Sequence, residues 1–284
     1  MPDYIRAVSM KFKPLRHILF LCILVILTGC SEYSYLYKSN DFRYKYEIAK
    51  TYYALGKTTK AITLLEDILM QMKGTPYADE SLYMLGDCYM RKKDYELAAT
   101  YFRQYYTSYP YGKLAETARY QTARALYLGS PEFRLDQTAS YHAIQEAQIY
   151  LEYYPEGTYK GEVENIMYTL QDKLAEKELA SAKLYYNIGA LRGQNNYLSC
   201  VITAQNALRD YPYTRLREEF SIYVLRAKYQ LAERSIIERR AERYREAVDE
   251  YYAFKNEYPE SKYIKEVEKI GQSAQSKIQD TTEI

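Results

Sequence analysis

The side chains of this sequence that can do chemistry are four cysteines, two histidines and a dispersed population of carboxylates and tyrosines. His142 is the one histidine beyond the basic start of the chain, and acid–base work needs partners of matched acidity converging on it. No HExxH, GxSxG, phosphate loop or CxxC pair is present, so hydrolase, kinase and metal-site chemistries lose their sequence support. The chain reads as non-enzymatic, with no metal and no cofactor. Its carboxylates mostly neighbour Lys or Arg, as on solvated helix faces. Cys88 and Cys200 lie far apart in apolar helical stretches and read as small buried hydrophobes. Cys30 stands apart, because what precedes it gives its thiol a specific fate.

Lys11, Lys13, Arg16 and His17 precede ten apolar residues, Ile18 to Leu27, which lead through Thr28-Gly29 to Cys30. The run is too short for a membrane-spanning helix of about 20 residues and ends in small residues, as a cleaved export signal does. Leu27-Thr28-Gly29-Cys30 resembles the lipobox of bacterial lipoproteins, in which the cysteine is acylated and becomes the first mature residue. The resemblance implies residues 1–29 removed, a covalent lipid such as palmitate on Cys30, and residues 30–40 as a tether. Several acyl chains hold a protein stably on a bilayer, each buried CH₂ contributing about 0.8 kcal/mol. An uncleaved anchor, or a soluble export signal with a chance cysteine, is the alternative. Met10 is an alternative start.

Losing residues 1–29 removes four cations against the single anion Asp3, so the net charge falls from +2 to about −1. Nucleic acid is thereby disfavoured as a partner. Tyrosine is the compositional outlier, with 37 residues against 7 Phe and no Trp. A large apolar ring with a polar tip suits both helix packing and wet binding surfaces.

The elements that position these tyrosines emerge from a repeat. Tyr46, Tyr83 and Tyr120 are spaced by 37, as are Lys50, Asp87 and Arg124, and Ala49, Gly86 and Ala123. Leu82, Leu85, Gly86, Tyr89, Ala98, Phe102 and Pro110 resemble the tetratricopeptide pattern, with small residues where two helices cross and a proline after the second helix. An earlier unit runs from Ile48 to Ile68 and turns at Gly56-Lys57. Tyr-Pro recurs at Tyr109-Pro110, Tyr154-Pro155, Tyr211-Pro212 and Tyr258-Pro259.

The expected fold is all-α: a right-handed superhelical array of about five tetratricopeptide-like helix pairs with a capping helix. Repeats 1–3 fall in 41–159 and repeats 4–5 with extended helices in 160–259. The cap and tail occupy 260–284, the last residues from Asp280 being read as disordered. Gly129 to Phe133 reads as an inserted loop, Glu162 to Glu178 as a helix leading into repeat four, and Ala232 to Arg243 as a charged extension of repeat five.

Tyr46, Lys50 and Tyr53 form one stripe at helical spacing. Tyr83 and Asp87 (with Met90), then Tyr120, Arg124 and Tyr127, repeat it. Two uses stay open: a peptide-binding groove, or packing between repeats. The corresponding later sets, Leu179, Lys183, Tyr186 and Val224, Lys228, Leu231, suggest that the stripe fades. Arg234, Arg239, Arg240 and Arg243 likewise read either as a solvated helix face, partly self-paired through Arg234 and Glu238, or as a partner-docking surface.

The lipobox, Ser31-Glu32-Tyr33, the five helix-pair units and the Tyr-Pro endings together resemble the BamD family, outer-membrane lipoproteins of the β-barrel assembly machine. Asp41 to Asp67 and Leu135-Asp136-Gln137-Thr138 look most like the Bacteroidetes-type version. The resemblance implies a lipid-anchored protein on the periplasmic face of the outer membrane. Its expected partners are the POTRA domains of a BamA-like barrel and unfolded outer-membrane proteins. A tetratricopeptide scaffold for pilus or peptidoglycan-linked envelope assembly is the alternative. A SusD-like glycan-binding lipoprotein is disfavoured by the absence of Trp.

Overall fold

The computed structural model describes residues 39–282, except 190 and 192–194. The expected signal segment, Cys30 and most of the tether lie outside the described residues. Eleven helices and no strand occur among those described. They are α1 (Phe42–Ala54), α2 (Thr58–Met72), α3 (Ala78–Arg91), α4 (Tyr95–Ser108), α5 (Ala115–Gly129), α6 (Thr138–Tyr153), α7 (Lys160–Ile188), α8 (Asn196–Asp210), α9 (Arg217–Glu233), α10 (Ile237–Glu257) and α11 (Ile264–Thr282). The all-α expectation holds, and none of these helices is long and apolar enough to cross a membrane. Contacts divide the described residues into two compact units, one up to Ala118 and one from Arg119 onward.

In the first unit α1 packs on α2, α2 on α3 and α3 on α4, while α1 also touches α3. The Asp41 carboxylate caps α1, accepting from the backbone N–H groups of Arg43 and Tyr44 at 3.0 and 3.1 Å. Gly56 closes that helix at φ +69, where Lys57 N–H reaches Tyr52 C=O at 2.8 Å and Gly56 N–H reaches Tyr53 C=O at 3.1 Å. One period later Lys93 holds the same left-handed position at φ +62, and Asp94 N–H bonds Tyr89 C=O at 3.0 Å. Asp94 then caps α4 through Leu97 N–H at 3.3 Å. The apolar faces of α2, α3 and α4 bury Leu64, Leu65, Ile68, Leu85 and Phe102.

In the second unit the 29-residue α7 serves two partners. Its first half buries Val163, Ile166 and Leu170 with Ala143, Ala147 and Tyr150 of α6. Its second half buries Ala175, Leu179 and Ala182 with Cys200, Ala204 and Ala207 of α8. Helices α8, α9, α10 and α11 then pack in sequence, with α7 on α9 and α9 on α11. The loop after Gly129 is held by α7, whose Lys173 ammonium donates to Ser130 Oγ and whose Lys177 donates to Leu135 C=O at 3.2 Å.

The four Tyr-Pro pairs end α4, α6, α8 and α10. A residue before proline is driven out of the α region. Accordingly Tyr109, Tyr154, Tyr211 and Tyr258 are C-caps with φ of −130, −131, −124 and −130°. Each still donates its N–H to the carbonyl four residues back, at 2.8 to 2.9 Å. One turn before two of these caps, the buried phenols of Tyr105 and Tyr150 accept the backbone N–H of Leu114 and Tyr159 at 3.3 and 3.0 Å, tying down the start of the next helix.

Two expectations need correction. The helical run continues through Asp280 to Thr282, because α11 keeps its apolar face on α10, with Val267 and Ala274 buried and Ile278, partly buried, packed against the cluster that holds Ala274. The charged stretch is broken: α9 ends at Glu233, Arg234-Ser235-Ile236 turn the chain, and α10 begins at Ile237. Arg234 and Glu238 therefore flank a turn and are not an i, i+4 pair on one helix.

Candidate functional site

Most of the early stripe is spent on joining helices. Tyr46 is 2 % exposed, its ring lies 4.9 Å from that of Tyr77, and its hydroxyl donates to Glu80 on α3. Lys50 reaches the same carboxylate at 2.8 Å. About two turns further along both helices, the Tyr53 hydroxyl donates to Asp87 at 2.8 Å. Arg91 closes the set, 2.8 Å from Asp87, with its guanidinium 4.4 Å from the centre of the Tyr53 ring and Nη1 donating to the Tyr53 carbonyl at 3.2 Å. Two tyrosine–carboxylate bonds, each spanning 34 residues, thus lock α1 to α3.

The electrostatics follow from these bonds. Burial, then the adjoining Glu80, raises Tyr46, and burial, then Asp87, raises Tyr53, so both stay protonated donors. Burial pushes Glu80 up, but hydrogen bonds from Lys50 and Tyr46 outweigh it and hold the carboxyl below its ordinary value.

The other stripe residues divide. Tyr83 turns inward within its own pair, edge-on to Phe102 and Tyr105 of α4 at 5.4 and 6.1 Å. Tyr120 stacks on Tyr159 at 4.3 Å with planes 3° apart. Tyr120, Arg124 and Tyr127 line a hollow of about 190 Å³ together with Glu162 and Ile166, and Arg124 is exposed there, touching Gln121 Oε1 at 3.3 Å.

The ladder of helix ties does not fade in the second unit: Lys183 and Tyr186 carry it as positioned in the sequence, and only in the set Val224, Lys228, Leu231 does the register differ. Val224 and Leu231 are buried core and Lys228 pairs with Glu250 of α10 at 2.6 Å. The ties run through Lys183 and Glu219 at 2.7 Å and Tyr186 edge-on to Tyr223, and then, in place of Lys228, through Arg226 forked onto Glu266 at 2.7 and 2.6 Å. Tyr229 and Ser273 add a hydroxyl pair at 2.8 Å. The missed carboxylates Glu80, Glu219 and Glu266 lie 30 to 40 residues after their cations. A search for cation–carboxylate pairs near the repeat period would have found them.

The four C-terminal arginines also separate. Arg240 donates to the Ser235 carbonyl at 3.1 Å and Arg243 to the Ser235 hydroxyl at 2.6 Å, bracing the α9–α10 turn. Arg234 and Arg239 are exposed, Arg234 with its guanidinium 5.6 Å from the centre of the Tyr197 ring. Ile236 and Ile237 between them are 66 % and 60 % exposed.

Nucleophilic chemistry finds little footing among the described residues. Cys88 and Cys200 are free and buried, their thiols pushed up by burial to about 11 and about 12, which leaves them inert at neutral pH. No group of three or more His, Cys, Asp or Glu among the described residues is placed to hold a metal.

Fold and site together define a helical-repeat protein in which, within each unit, neighbouring helices pack on shared apolar faces and polar side chains tie one helix pair to another. The chain belongs to the YfiO family of outer membrane lipoproteins, whose family model matches residues 38–242. No curated protein matches the chain.

Proposed function

We propose that this protein is a lipid-tethered scaffold of the β-barrel assembly machine, held on the periplasmic face of the outer membrane through an acylated Cys30. The observation that carries this reading is the family match over residues 38–242. Leu27-Thr28-Gly29-Cys30 supports the tether. In this reading a BamA-like barrel partner docks its POTRA region on the exposed Arg234 and Arg239 flanking Ile236 and Ile237, a surface that offers apolar area rimmed by cations. Unfolded outer-membrane proteins are received on helix faces such as the one carrying Tyr120, Arg124 and Tyr127. The test is affinity purification of the tagged, full-length protein from detergent-solubilised envelopes, followed by identification of what accompanies it. Recovery of a POTRA-containing barrel protein is expected. Recovery of pilus or peptidoglycan-linked components in its place would overturn the reading in favour of another envelope scaffold.

A further inference from the structure

On the face where the helix ties of the second unit run, α7, α9 and α11 enclose a second hollow of about 290 Å³. Tyr186 and Tyr229 form aromatic walls, Ile270 supplies an apolar surface, and the Gln230 amide and Lys269 ammonium complete the lining. Its charges are unbalanced. The carboxylate in the lining, Glu266, is held by both arms of Arg226 at 2.7 and 2.6 Å, so that pair is mutually satisfied. Lys269 is exposed, one turn along α11, and makes no ion pair among the described residues. One cation is therefore left facing a polar and aromatic hollow whose carboxylate is already neutralised.

Size narrows the occupant. Pockets that engulf small molecules run from about 300 to 1,000 Å³, and this hollow lies at the lower edge, the scale of one or two side chains. Exposed aromatic edges beside a cation take up an apolar ring and an anion presented together. Burial holds Tyr186 above the ordinary tyrosine value, so its hydroxyl remains protonated and able to donate at neutral pH. The Gln230 amide can both donate to and accept from a peptide backbone.

We propose that this hollow binds a peptide segment carrying an acidic side chain next to an aromatic one, the carboxylate meeting Lys269 and the ring lying against Tyr186 and Ile270. The site rests on the packing of α7, α9 and α11 and not on the proposed place in barrel assembly, so loss of the barrel partner in a purification leaves it standing.

The test titrates the detergent-solubilised full-length protein with fluorescein-labelled, C-terminally amidated octapeptides. One carries Asp-Phe at its centre among Gly and Ser, a second has Asn for the Asp, and a third has Ala for the Phe. Fluorescence anisotropy should show the Asp-Phe peptide binding about five- to tenfold more tightly than either control at low salt. Lys269→Ala should erase the Asp-over-Asn preference, Lys269→Arg should keep it, and Arg245→Ala, at an exposed position of α10 outside the lining, should leave it unchanged. Lys269 is exposed, so its variants fold. Equal affinity for the Asp and Asn peptides, no binding up to about 1 mM, or a preference that survives Lys269→Ala or disappears with Arg245→Ala would each overturn the proposal.

Discussion

Gly86 of α3 lies under the ring of Phe102 of α4 so closely that a Cβ on it would stand 2.7 Å from the ring carbons Cδ1 and Cε1. Phe102 is fully buried and has no space to yield, so the glycine sets how near the two helices approach. Overpacking of this kind costs about 1–3 kcal/mol, against about 1 kcal/mol returned by alanine's better helix propensity. Gly86→Ala should therefore lose about 1 kcal/mol in urea denaturation. Phe102→Leu should be less damaging in the Gly86→Ala background than alone, the signature of a relieved clash. Additive effects of the two substitutions would show that the ring and the missing Cβ do not compete.

The two helix ends one repeat apart carry an internal control. Gly56 and Lys93 share the left-handed position, but only glycine adopts it without cost, and an ordinary residue there loses about 1–2 kcal/mol. A Cβ at Gly56 would meet nothing within 4 Å, so any penalty there belongs to the backbone alone. Lys93→Gly should raise stability by about 0.5–1 kcal/mol, and Gly56→Ala should lower it by about 1 kcal/mol. Thermal unfolding of the two variants is the measurement. Equal and opposite signs confirm the shared turn, and a destabilised Lys93→Gly protein contradicts it.

Acid sensitivity should trace in part to Glu80. Its carboxyl in the folded state sits below its ordinary value of 4.5 because Lys50 and Tyr46 hydrogen-bond the ionised form against the opposing effect of burial. A depressed carboxylate contributes stability that is fully present above the unfolded value and is lost as pH falls through the folded one. Glu80→Gln should thus lower stability at neutral pH and flatten the loss seen below pH 4.5. Parallel denaturation curves for both proteins from neutral pH down through that range decide it. An unchanged slope would mean that the bond from α1 to α3 does not respond to protonation.

The helices and their ends were legible in the sequence wherever a local rule fixed them. Tyr-Pro dictates its own C-cap through the proline ring, and Gly86 with Phe102 shows the close crossing that a 37-residue spacing requires. The stripe was harder to interpret, since a tyrosine beside a charged residue looks the same in sequence whether its hydroxyl meets a ligand or a carboxylate on another helix. Tyr46 and Tyr53 found Glu80 and Asp87, 34 residues on, and Tyr46 is buried as a result. In repeat five the register slipped because Val224 and Lys228 match the early spacing, whereas the helix ties run through Tyr223 and Arg226. The break at Ser235 carries no proline or glycine to mark it; the turn is held by Arg240 and Arg243, contacts that span five and eight residues.

That turn separates structural arginines from available ones. Arg243 donates to Ser235 Oγ at 2.6 Å in a partly buried setting, and a hydrogen bond from a charged group there is worth about 1.5–3 kcal/mol. Arg243→Ala should therefore destabilise the protein by about that amount, mainly by loosening the α9–α10 connection. Arg234 and Arg239 make no such brace, so Arg234→Glu with Arg239→Glu should change stability by less than about 0.5 kcal/mol. Reversing Arg240 would confuse the two effects, because its guanidinium is tied to the Ser235 carbonyl and its Nε is buried. If the exposed pair docks the barrel partner, the Arg234→Glu, Arg239→Glu protein should fold normally yet lose that partner on purification, more so as Ile236 and Ile237 are also replaced by Ser. Undiminished recovery from a folded quadruple variant would remove this turn from the docking surface, and Arg243→Ala would still register its stability cost.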